Sequence, residues 1–184
     1  GRTNNNHLIL LVMNEDGYKN LTRLVTAGYL EGHYYIPRID MELLREMNRG
    51  LIALSACKKG IIPSFILEEK IDAAMDKAIE FASIFEHERF FLEIQANGLP
   101  EQFKINTALK EIGQKLSLPL VATNDCHYLN KGDHEIHDIL LCIQTNKTVN
   151  ETDRLRFETT ELYFKSRDEM IQTLGDSALE EGLN

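Results

Sequence analysis

Short, nearly continuous apolar runs separated by amphipathic stretches are the feature that most constrains how this chain can fold. Apolar runs of this length, bounded by polar turns, are typical of β-strands that are buried on both faces of a sheet. They occur at residues 7–13, 51–57, 90–95 and 118–124. Strands joined by crossover helices predict an α/β fold with a parallel sheet, which is either doubly wound or closed as a barrel.

The stretches between these runs place apolar side chains three and four residues apart, which is typical of amphipathic helices. Pro100 stands at the start of one such stretch, where a missing backbone N–H costs little. Ser166 and Glu169 have the spacing of a capping box, so residues 162–174 are predicted to form a short strand and a last helix. The other predicted helices cover residues 15–32, 41–50, 71–86, 100–117 and 131–145.

Both architectures place their functional groups at one edge of the sheet. Helices cover the sheet faces, so the loops at the carboxyl ends of the strands carry the site. The chain contains neither GxGxxG nor GxxxxGK[ST], and a loop that cradles a nucleotide phosphate therefore has no support. The candidate residues are those that lie beside the ends of the apolar runs.

Charge and cysteine content narrow the possible functions. The chain has 29 acidic and 20 basic residues and a formal net charge of -9. Because this charge repels a phosphate backbone, the chain alone is not expected to bind duplex DNA tightly. Its 3 cysteines are an odd number without a CxxC pair, which favours a reducing compartment and predicts a cytoplasmic protein. No apolar run approaches the roughly 20 residues of a transmembrane helix.

Asp125 and His127 directly follow the last apolar run, within the sequence PLVATNDCHYLN. In extended backbone, residues two apart point the same way, so these two side chains would share one side of the chain. A carboxylate and an imidazole together suit zinc, manganese or iron, or form a general base with its orienting partner. The alternative interpretation is a helix cap beside a surface histidine.

Cys57 ends the second apolar run and is followed by Lys58 and Lys59. Neighbouring cations favour the thiolate, which is the form of cysteine that binds zinc. The alternative is a cysteine that serves only as a small buried apolar residue.

Glu93 and His7 are weaker candidates. Glu93 lies on the polar side of the run over 90–95, where it would either orient metal ligands from behind or cap a helix. His7 precedes the first run, and in a simple parallel sheet the start of a strand lies at the edge opposite to its end. Only a bend or a long loop would bring His7 to Cys57 and Asp125.

Two histidines on the helix predicted over 131–145 form a further pair. His134 and His137 lie one turn apart and could hold a metal between them, but a solvated helix face is the more common arrangement. Cys142 lies within the apolar sequence ILLCIQ and is predicted to be a core residue.

Five segments of the chain, taken together, resemble one known family. They are HLILLVMNEDGYKNLTRLVTAGYLEG, GLIALSAC, FFLEIQANGLPEQ, LPLVATNDCHYL and HDILLCIQTNKT. Their order and separations are similar to those of the PHP (polymerase and histidinol phosphatase) domain family, in the form found in the alpha subunits of bacterial DNA polymerase III. The resemblance covers nearly the whole chain.

This resemblance implies a seven-stranded, distorted β/α barrel whose carboxyl edge holds metal ions, usually zinc, through histidines, carboxylates and one cysteine. The matching ligand positions in this chain are His7, Cys57, Asp125 and His127, none of which is assigned as a catalytic acid or base. Ala56 stands where the family usually has glycine. The resemblance also leads us to expect that the segment with His7 approaches the carboxyl edge.

The family's earlier ligand motifs, an HxH pair, an aspartate, a histidine and a glutamate, have no match in this sequence. We therefore expect residues 1–184 to be the C-terminal portion of a single PHP domain. In this interpretation a loop covers 1–6, barrel strands and helices cover 7–165, and 166–184 begin the next segment. With an incomplete ligand set, we expect weak or single-site binding of zinc, or of manganese or iron, and little hydrolysis by this chain alone.

The resemblance implies a role in DNA replication for the intact protein, a DNA-directed DNA polymerase. Its PHP domain would bind a metal cluster and hydrolyse phosphoesters as a 3'-5' proofreading exonuclease. The alternative is a catalytically silent PHP scaffold that stabilises the polymerase and docks a separate proofreading subunit. The expected partners are the rest of the polymerase chain, DNA through the intact polymerase, and that exonuclease subunit. A free-standing phosphatase of the same superfamily is a third, less similar possibility.

Overall fold

A sheet of 4 strands, in the order β1-β2-β3-β4, forms the centre of the molecule. The computed structural model describes residues 5–86 and 89–175. The strands are β1 (Ile9–Val12), β2 (Leu51–Leu54), β3 (Phe90–Gln95) and β4 (Leu120–Thr123). Each strand falls within one of the predicted apolar runs, and helices lie between the strands, so the predicted α/β class is confirmed.

Helices connect the strands and cover the sheet. Pro100 occupies the first turn of its helix, and Ser166 forms a capping box with Glu169, as the sequence predicts. The helices are α1 (Glu15–Leu30), α2 (Met41–Glu46), α3 (Ile61–Leu67), α4 (Ile71–Phe85), α5 (Pro100–Leu116), α6 (His134–Thr145) and α7 (Arg167–Leu174). A 3-10 turn over Lys131–Asp133 leads directly into α6.

β1 runs antiparallel to β2, whereas β2, β3 and β4 are parallel to one another. The expectation of parallel strands therefore holds for three strands and is wrong for β1. The return segment over 31–50 brings the chain back to the end of the sheet at which β1 stops, where the Met13 N–H donates to the Gly50 carbonyl at 2.9 Å. Gly17 makes this return possible, since a Cβ on it would lie 1.9 Å from the Gly50 oxygen.

The apolar core lies between the sheet and the helices α3, α4 and α5. β3 is the most deeply buried strand because β2 and β4 flank it and α5 packs against it. Phe90 of β3 stacks on Phe81 of α4, with ring centroids 5.3 Å apart. Burial on both faces explains why this strand reads as an almost continuous apolar run. Glu93 and Gln95 are the buried polar exceptions on it.

Some element boundaries differ from the predicted ones. β2 ends at Leu54, so Cys57 lies in the turn beyond the strand. The short strand predicted within 162–174 is reduced to a single bridge between Tyr128 and Tyr163. α3, a helix of 7 residues with Pro63 in its first turn, was not predicted. Such a short helix shows too few turns for a periodic pattern to stand out.

Within the described residues, β1 and β4 end the sheet, and the strands do not close into a complete barrel. The architecture fits a partial β/α barrel. Among the helices that the structure describes, none combines the length and apolarity needed to cross a membrane. The loop predicted over 1–6 and the segment predicted over 166–184 lie partly outside the described residues, which exclude 1–4 and 176–184.

Candidate metal centre

The antiparallel direction of β1 places His7 beside Cys57. A strand that runs against its neighbours begins at the edge where the parallel strands end, so the start of β1 lies at the carboxyl edge of the sheet. His7 forms a bridge with Gly60, and its backbone N–H donates to the Lys59 carbonyl at 3.0 Å. His7 Nδ1 and Cys57 Sγ lie 3.7 Å apart. The bend or long loop expected for His7 is therefore unnecessary for its contact with Cys57.

The spacing of these two atoms fits zinc. Zinc binds thiolate sulfur at about 2.3 Å and imidazole nitrogen at about 2.0–2.1 Å, so the two ligands of one tetrahedral ion stand about 3.6 Å apart. The observed separation of 3.7 Å agrees with that value. The pair therefore fits two of the four positions around a zinc ion.

A tight turn after β2 holds Cys57 in place. The Gly60 N–H donates to the Cys57 carbonyl at 2.7 Å, and a Cβ on Gly60 would lie 2.1 Å from the Ser55 oxygen, so the turn requires glycine there. Ala56 has a φ of 65°, in the left-handed region that glycine adopts most easily. This conformation explains why glycine is usual at the position that Ala56 occupies.

Burial, and after it two acidic neighbours, raise the pKa of the Cys57 thiol. Burial raises the pKa of its thiol, the backbone hydrogen bond to Lys59 lowers it, and the carboxylates of Asp125 and Glu93 raise it further. Lys58 pairs instead with Glu101 at 3.6 Å. The sequence-based expectation that neighbouring cations favour the thiolate is therefore wrong, and a bound cation would have to supply that stabilisation.

Asp125 and His127 do not share an extended stretch of backbone. Asp125 has a φ of 49°, which turns the chain between the two residues. His127 Nδ1 lies 2.6 Å from the Asp125 carbonyl oxygen, and the His127 ring packs against Phe157 with centroids 4.6 Å apart. Asp125 acts electrostatically on Cys57, whereas His127 lies in an aromatic group. The two-residue spacing alone is therefore no guide to a shared direction here.

The segment over 161–165 fixes the loop after β4. Asn124 Nδ2 donates to the carbonyls of Glu161 and Tyr163, both at 2.7 Å, and the His127 N–H donates to the Leu162 carbonyl at 2.8 Å. Lys165, which is buried, donates to the Glu161 carbonyl at 2.6 Å. Asp125 is therefore held on a well-anchored loop, although no motif in the sequence predicted this clamp.

Glu93 lies beneath these groups, on the central strand. Its Oε1 accepts hydrogen bonds from Thr123 Oγ1 at 2.5 Å and from Gln95 Nε2 at 3.3 Å. Its Oε2 is buried and finds no hydrogen-bond partner among the described residues. Burial raises the pKa of Glu93, the hydrogen bonds from Thr123, Gln95 and the Ala56 backbone lower it, and Asp125 raises it again. A buried carboxyl group without an ion-pair partner among the described residues favours its protonated form.

Within residues 5–86 and 89–175, no three His, Cys, Asp or Glu side chains already stand close enough to hold one metal ion together. The structure brings His7 and Cys57 into contact, places Asp125 and Glu93 within electrostatic range of Cys57, and sets His127 apart. The donor set of imidazole, thiol and carboxylate suits zinc. The donor types therefore match zinc chemistry, but the described side chains do not form a complete ligand set at metal-binding spacing.

The sequence pattern did not predict the group of aromatic rings around His127. The ring centroid of His137 lies 5.7 Å from that of His127, 5.3 Å from Phe157 and 5.5 Å from Tyr128. Burial lowers the pKa of His137, and His127 lowers it further. His134 and His137 are both half-buried, so the expected solvated helix face holds only in part, and His137 packs within the aromatic group. Cys142 of the same helix is 4% exposed and is a core residue, as predicted.

Comparison with known proteins gives the family. The sequence profile of the PHP domain matches residues 1–97, just over half of the chain. The chain belongs to the PHP domain family. The matched region includes His7, Cys57 and Glu93, whereas Asp125 and His127 lie beyond it.

Relatives of this PHP chain match it over most of its length. This chain is 50% identical to DNA polymerase III subunit alpha of Thermus aquaticus over 171 aligned residues. The alignment covers 93% of this chain and 14% of the relative. The same-named protein of Borreliella burgdorferi is 42% identical over 92% of this chain and 15% of the relative. That of Deinococcus radiodurans is 42% identical over 91% of this chain and 12% of the relative. The chain thus spans about a seventh of the length of these proteins.

Proposed function

We propose that this chain is part of the alpha subunit of a bacterial DNA polymerase III, and thus of a DNA-directed DNA polymerase that acts in DNA replication. The 50% identity to the Thermus aquaticus protein across 93% of this chain carries the proposal. The rest of the polymerase chain would then be its covalent partner, and DNA would be bound through the intact polymerase. A cytoplasmic location follows from this role and from the cysteine content.

The local function that the site supports best is metal binding in the service of phosphoester hydrolysis. His7 and Cys57 would hold a zinc ion, or manganese or iron, with Asp125 as an additional ligand. The 3.7 Å contact between His7 Nδ1 and Cys57 Sγ supports these two residues as ligands. When bound, such an ion supplies a polarised phosphoester and an acidified water. His127 remains a proposed ligand that would have to turn from its aromatic neighbours.

In this proposal the residues of the site bind the metal ion, and none of them acts as a general acid or base. Asp125 is held by the clamped loop after β4, and Cys57 by the turn at Gly60. No step of polymerisation belongs to these residues, and an incomplete ligand set predicts little hydrolysis by this chain alone. In the intact subunit, the activity would be removal of nucleotides from a 3' end.

A silent scaffold that docks a separate proofreading subunit is the second candidate. The packing of His127 against Phe157 and His137 favours it, because one expected metal ligand then has a structural role. A scaffold would retain the fold and the loop clamp without needing a filled metal site.

An exonuclease assay on the intact alpha subunit distinguishes between the two candidate functions. Release of nucleotides from a 3' end is measured with and without a chelator in the wild type, in Cys57→Ser and in Cys126→Ser as the matched control. The hydrolytic function predicts chelator-sensitive release that falls at least ~10-fold in Cys57→Ser and persists in Cys126→Ser. The absence of chelator-sensitive release, with DNA synthesis intact, contradicts the hydrolytic function and favours the scaffold.

A further inference from the structure

The loop that follows α1 exposes two tyrosine rings beside an arginine. Tyr34 is 55% exposed and Tyr35 is 85% exposed. Their ring centroids lie 4.7 Å apart with the planes at 77°, and the guanidinium carbon of Arg38 lies 5.1 Å from the centroid of the Tyr34 ring. Aromatic rings stabilise a fold mainly through the area that they bury, so these two contribute little to it. Their exposure as a group indicates a binding surface.

The backbone of this loop holds Tyr35 in an unusual conformation. Tyr35 has a φ of 62°, which is uncommon for a bulky side chain. The flanking residues are joined, because the Tyr34 N–H donates to the Ile36 carbonyl at 3.2 Å. A Cβ on Gly32 would lie 2.0 Å from the Arg38 carbonyl oxygen, so the loop packs directly against the end of α1. Strain of this kind persists mostly where the exposed group has a function.

The loop lies at the edge of the sheet that carries the candidate metal pair. Arg38 Nη1 donates to Asn5 Oδ1 at 3.4 Å, and Asn5 lies two residues before His7. His7 Nδ1 is 3.7 Å from Cys57 Sγ. Lys59, which is exposed, belongs to the same edge because its carbonyl accepts the His7 N–H at 3.0 Å. The tyrosine pair and the metal pair therefore face the same approach to the molecule.

Two cations at this edge are available to a ligand. None of the ion pairs in the part of the chain that the structure describes includes Arg38 or Lys59. Asp40, the first carboxylate after Arg38, caps α2 by accepting the Leu43 N–H at 2.8 Å. The guanidinium of Arg38 and the ammonium of Lys59 can therefore contact phosphate groups.

Exposed aromatic rings next to cations are the combination that binds single-stranded nucleic acid. Bases of any sequence stack on such rings, while the cations follow the phosphate backbone. A duplex offers no free base faces for stacking. A short single strand also brings few phosphates to the chain, so the net charge of -9 opposes it less than it opposes a duplex. An energetic hot spot of a protein interface is usually enclosed in a pocket, whereas Tyr35 stands in solvent.

We infer that Tyr34, Tyr35 and Arg38 form a stacking platform for an unpaired DNA strand and guide its end to the edge that carries His7 and Cys57. Tyr35 stacks on a base, Tyr34 supports the ring of Tyr35 edge-on, and Arg38 contacts the phosphate backbone. This inference rests on the proposed hydrolytic function. It specifies the unpaired strand as the form in which the site receives DNA.

Binding of a single-stranded oligothymidylate of about 8 nucleotides, labelled with a dye at its 5' end, tests the inference. Fluorescence anisotropy is measured with this chain at low salt and in the presence of a chelator. We expect Tyr35→Ala to weaken binding at least ~5-fold and Tyr35→Phe, which keeps a stacking ring, to bind like the wild type. Tyr18→Ala is the matched control, because Tyr18 is 65% exposed in the first turn of α1, at the opposite edge.

The same titration gives the results that would overturn the inference. Equal affinity in Tyr35→Ala and the wild type contradicts it, and so does a duplex that binds as tightly as the single strand. If Tyr35→Ala does not fold by circular dichroism, Tyr35→Leu decides, since it keeps an apolar side chain without an aromatic face. Wild-type affinity in Tyr35→Leu would then exclude stacking.

Failure of this inference and failure of the proposed function are distinguishable. A wild-type chain that binds no oligonucleotide overturns the stacking platform and favours a protein as the partner of this loop. Because the titration contains a chelator, that result does not depend on a metal ion. Chelator-sensitive nucleotide release by the intact alpha subunit would still support the hydrolytic function.

Discussion

Arg154 shows how a single residue can hold an irregular segment in place. Its side chain is fully buried, and its two terminal nitrogens each donate to one oxygen of Asp138 at 2.6 Å. This bidentate pair joins α6 to the segment over 149–160, which follows that helix. The guanidinium of Arg154 also lowers the pKa of Asp138 below its ordinary value.

The pairing of Asp138 predicts how stability depends on pH. A carboxylate with a lowered pKa in the folded state stabilises the protein fully above its unfolded pKa of about 3.9, and this stabilisation disappears as the pH falls through the lowered value. We therefore expect wild-type stability to drop more steeply than that of Asp138→Asn below about pH 4. Urea midpoints measured across this range check the prediction, and parallel curves for the two proteins would contradict it.

At the residue scale, the sequence singled out candidate residues but could not supply the directions of their side chains. Cys57, Asp125 and Glu93 stood out because polar groups beside buried apolar runs are unusual. Their arrangement depends on the left-handed backbone at Ala56 and Asp125, which redirects the side chains that follow. A spacing rule for extended backbone cannot anticipate such turns, since non-glycine residues rarely adopt them.

Helix ends give the clearest predictions at the scale of elements. Ser166 accepts a hydrogen bond from the Glu169 N–H at 3.3 Å, and the Glu169 carboxylate accepts one from the Ser166 N–H at 2.8 Å. Replacing Ser166 by Ala removes the first bond and the bond that Ser166 Oγ donates to Glu169 Oε2 at 2.8 Å, and we expect the free energy of unfolding to fall by about 1 kcal/mol. Ser166→Thr keeps a capping hydroxyl and should remain near the wild type in urea denaturation. Equal losses in both variants would refute the capping role.

The C-terminal end of α5 predicts a stabilising substitution. Ser117, which is exposed, follows α5 with a φ of 55°, a left-handed conformation that costs roughly 1 kcal/mol or more for a residue with a Cβ. Ser117→Gly should raise the free energy of unfolding by about 0.5–1 kcal/mol. Asn146 ends α6 with a φ of 54°, but asparagine tolerates this region, so Asn146→Gly should gain less. Thermal denaturation compares the two, and a larger gain for Asn146→Gly would be inconsistent with this explanation.

The elements themselves were largely predictable, and the exceptions have physical causes. α1, α4 and α5 are long enough for their apolar spacing to repeat over several turns, and all three were expected. β1 was expected as a strand but not as an antiparallel one, because the apolar run carries no information about direction. Its direction depends on the return of the chain past Gly17 and Gly50, which only tertiary packing reveals.

At the scale of the whole molecule, the open sheet predicts self-association. In the described part of the chain, β1 pairs with β2 alone, and Leu11, Val12 and Met13 are 47%, 42% and 51% exposed. An apolar edge strand of this kind recruits further strands. Light scattering of the chain should show an average mass that rises with concentration, and Leu11→Lys should reduce that rise. A monomer at all concentrations would rule this out.

The location of the candidate site could be predicted from the sequence, whereas the contacts between its residues could not. The carboxyl edge of the sheet follows from the α/β alternation alone. The contact between His7 and Cys57 requires the antiparallel β1. Such facts depend on atomic packing within the fold and leave no periodic signal in the chain.

The central claim is that His7 and Cys57 form the metal-binding pair of this chain, and Co²⁺ absorption tests it most directly. Cobalt bound to a thiolate gives a sulfur-to-metal charge-transfer band in the near ultraviolet, which imidazole and carboxylate ligands do not produce. We predict this band in the wild type and in Cys126→Ser, and its loss in Cys57→Ser. A band that survives in Cys57→Ser, or one that is absent from the wild type, would contradict the account.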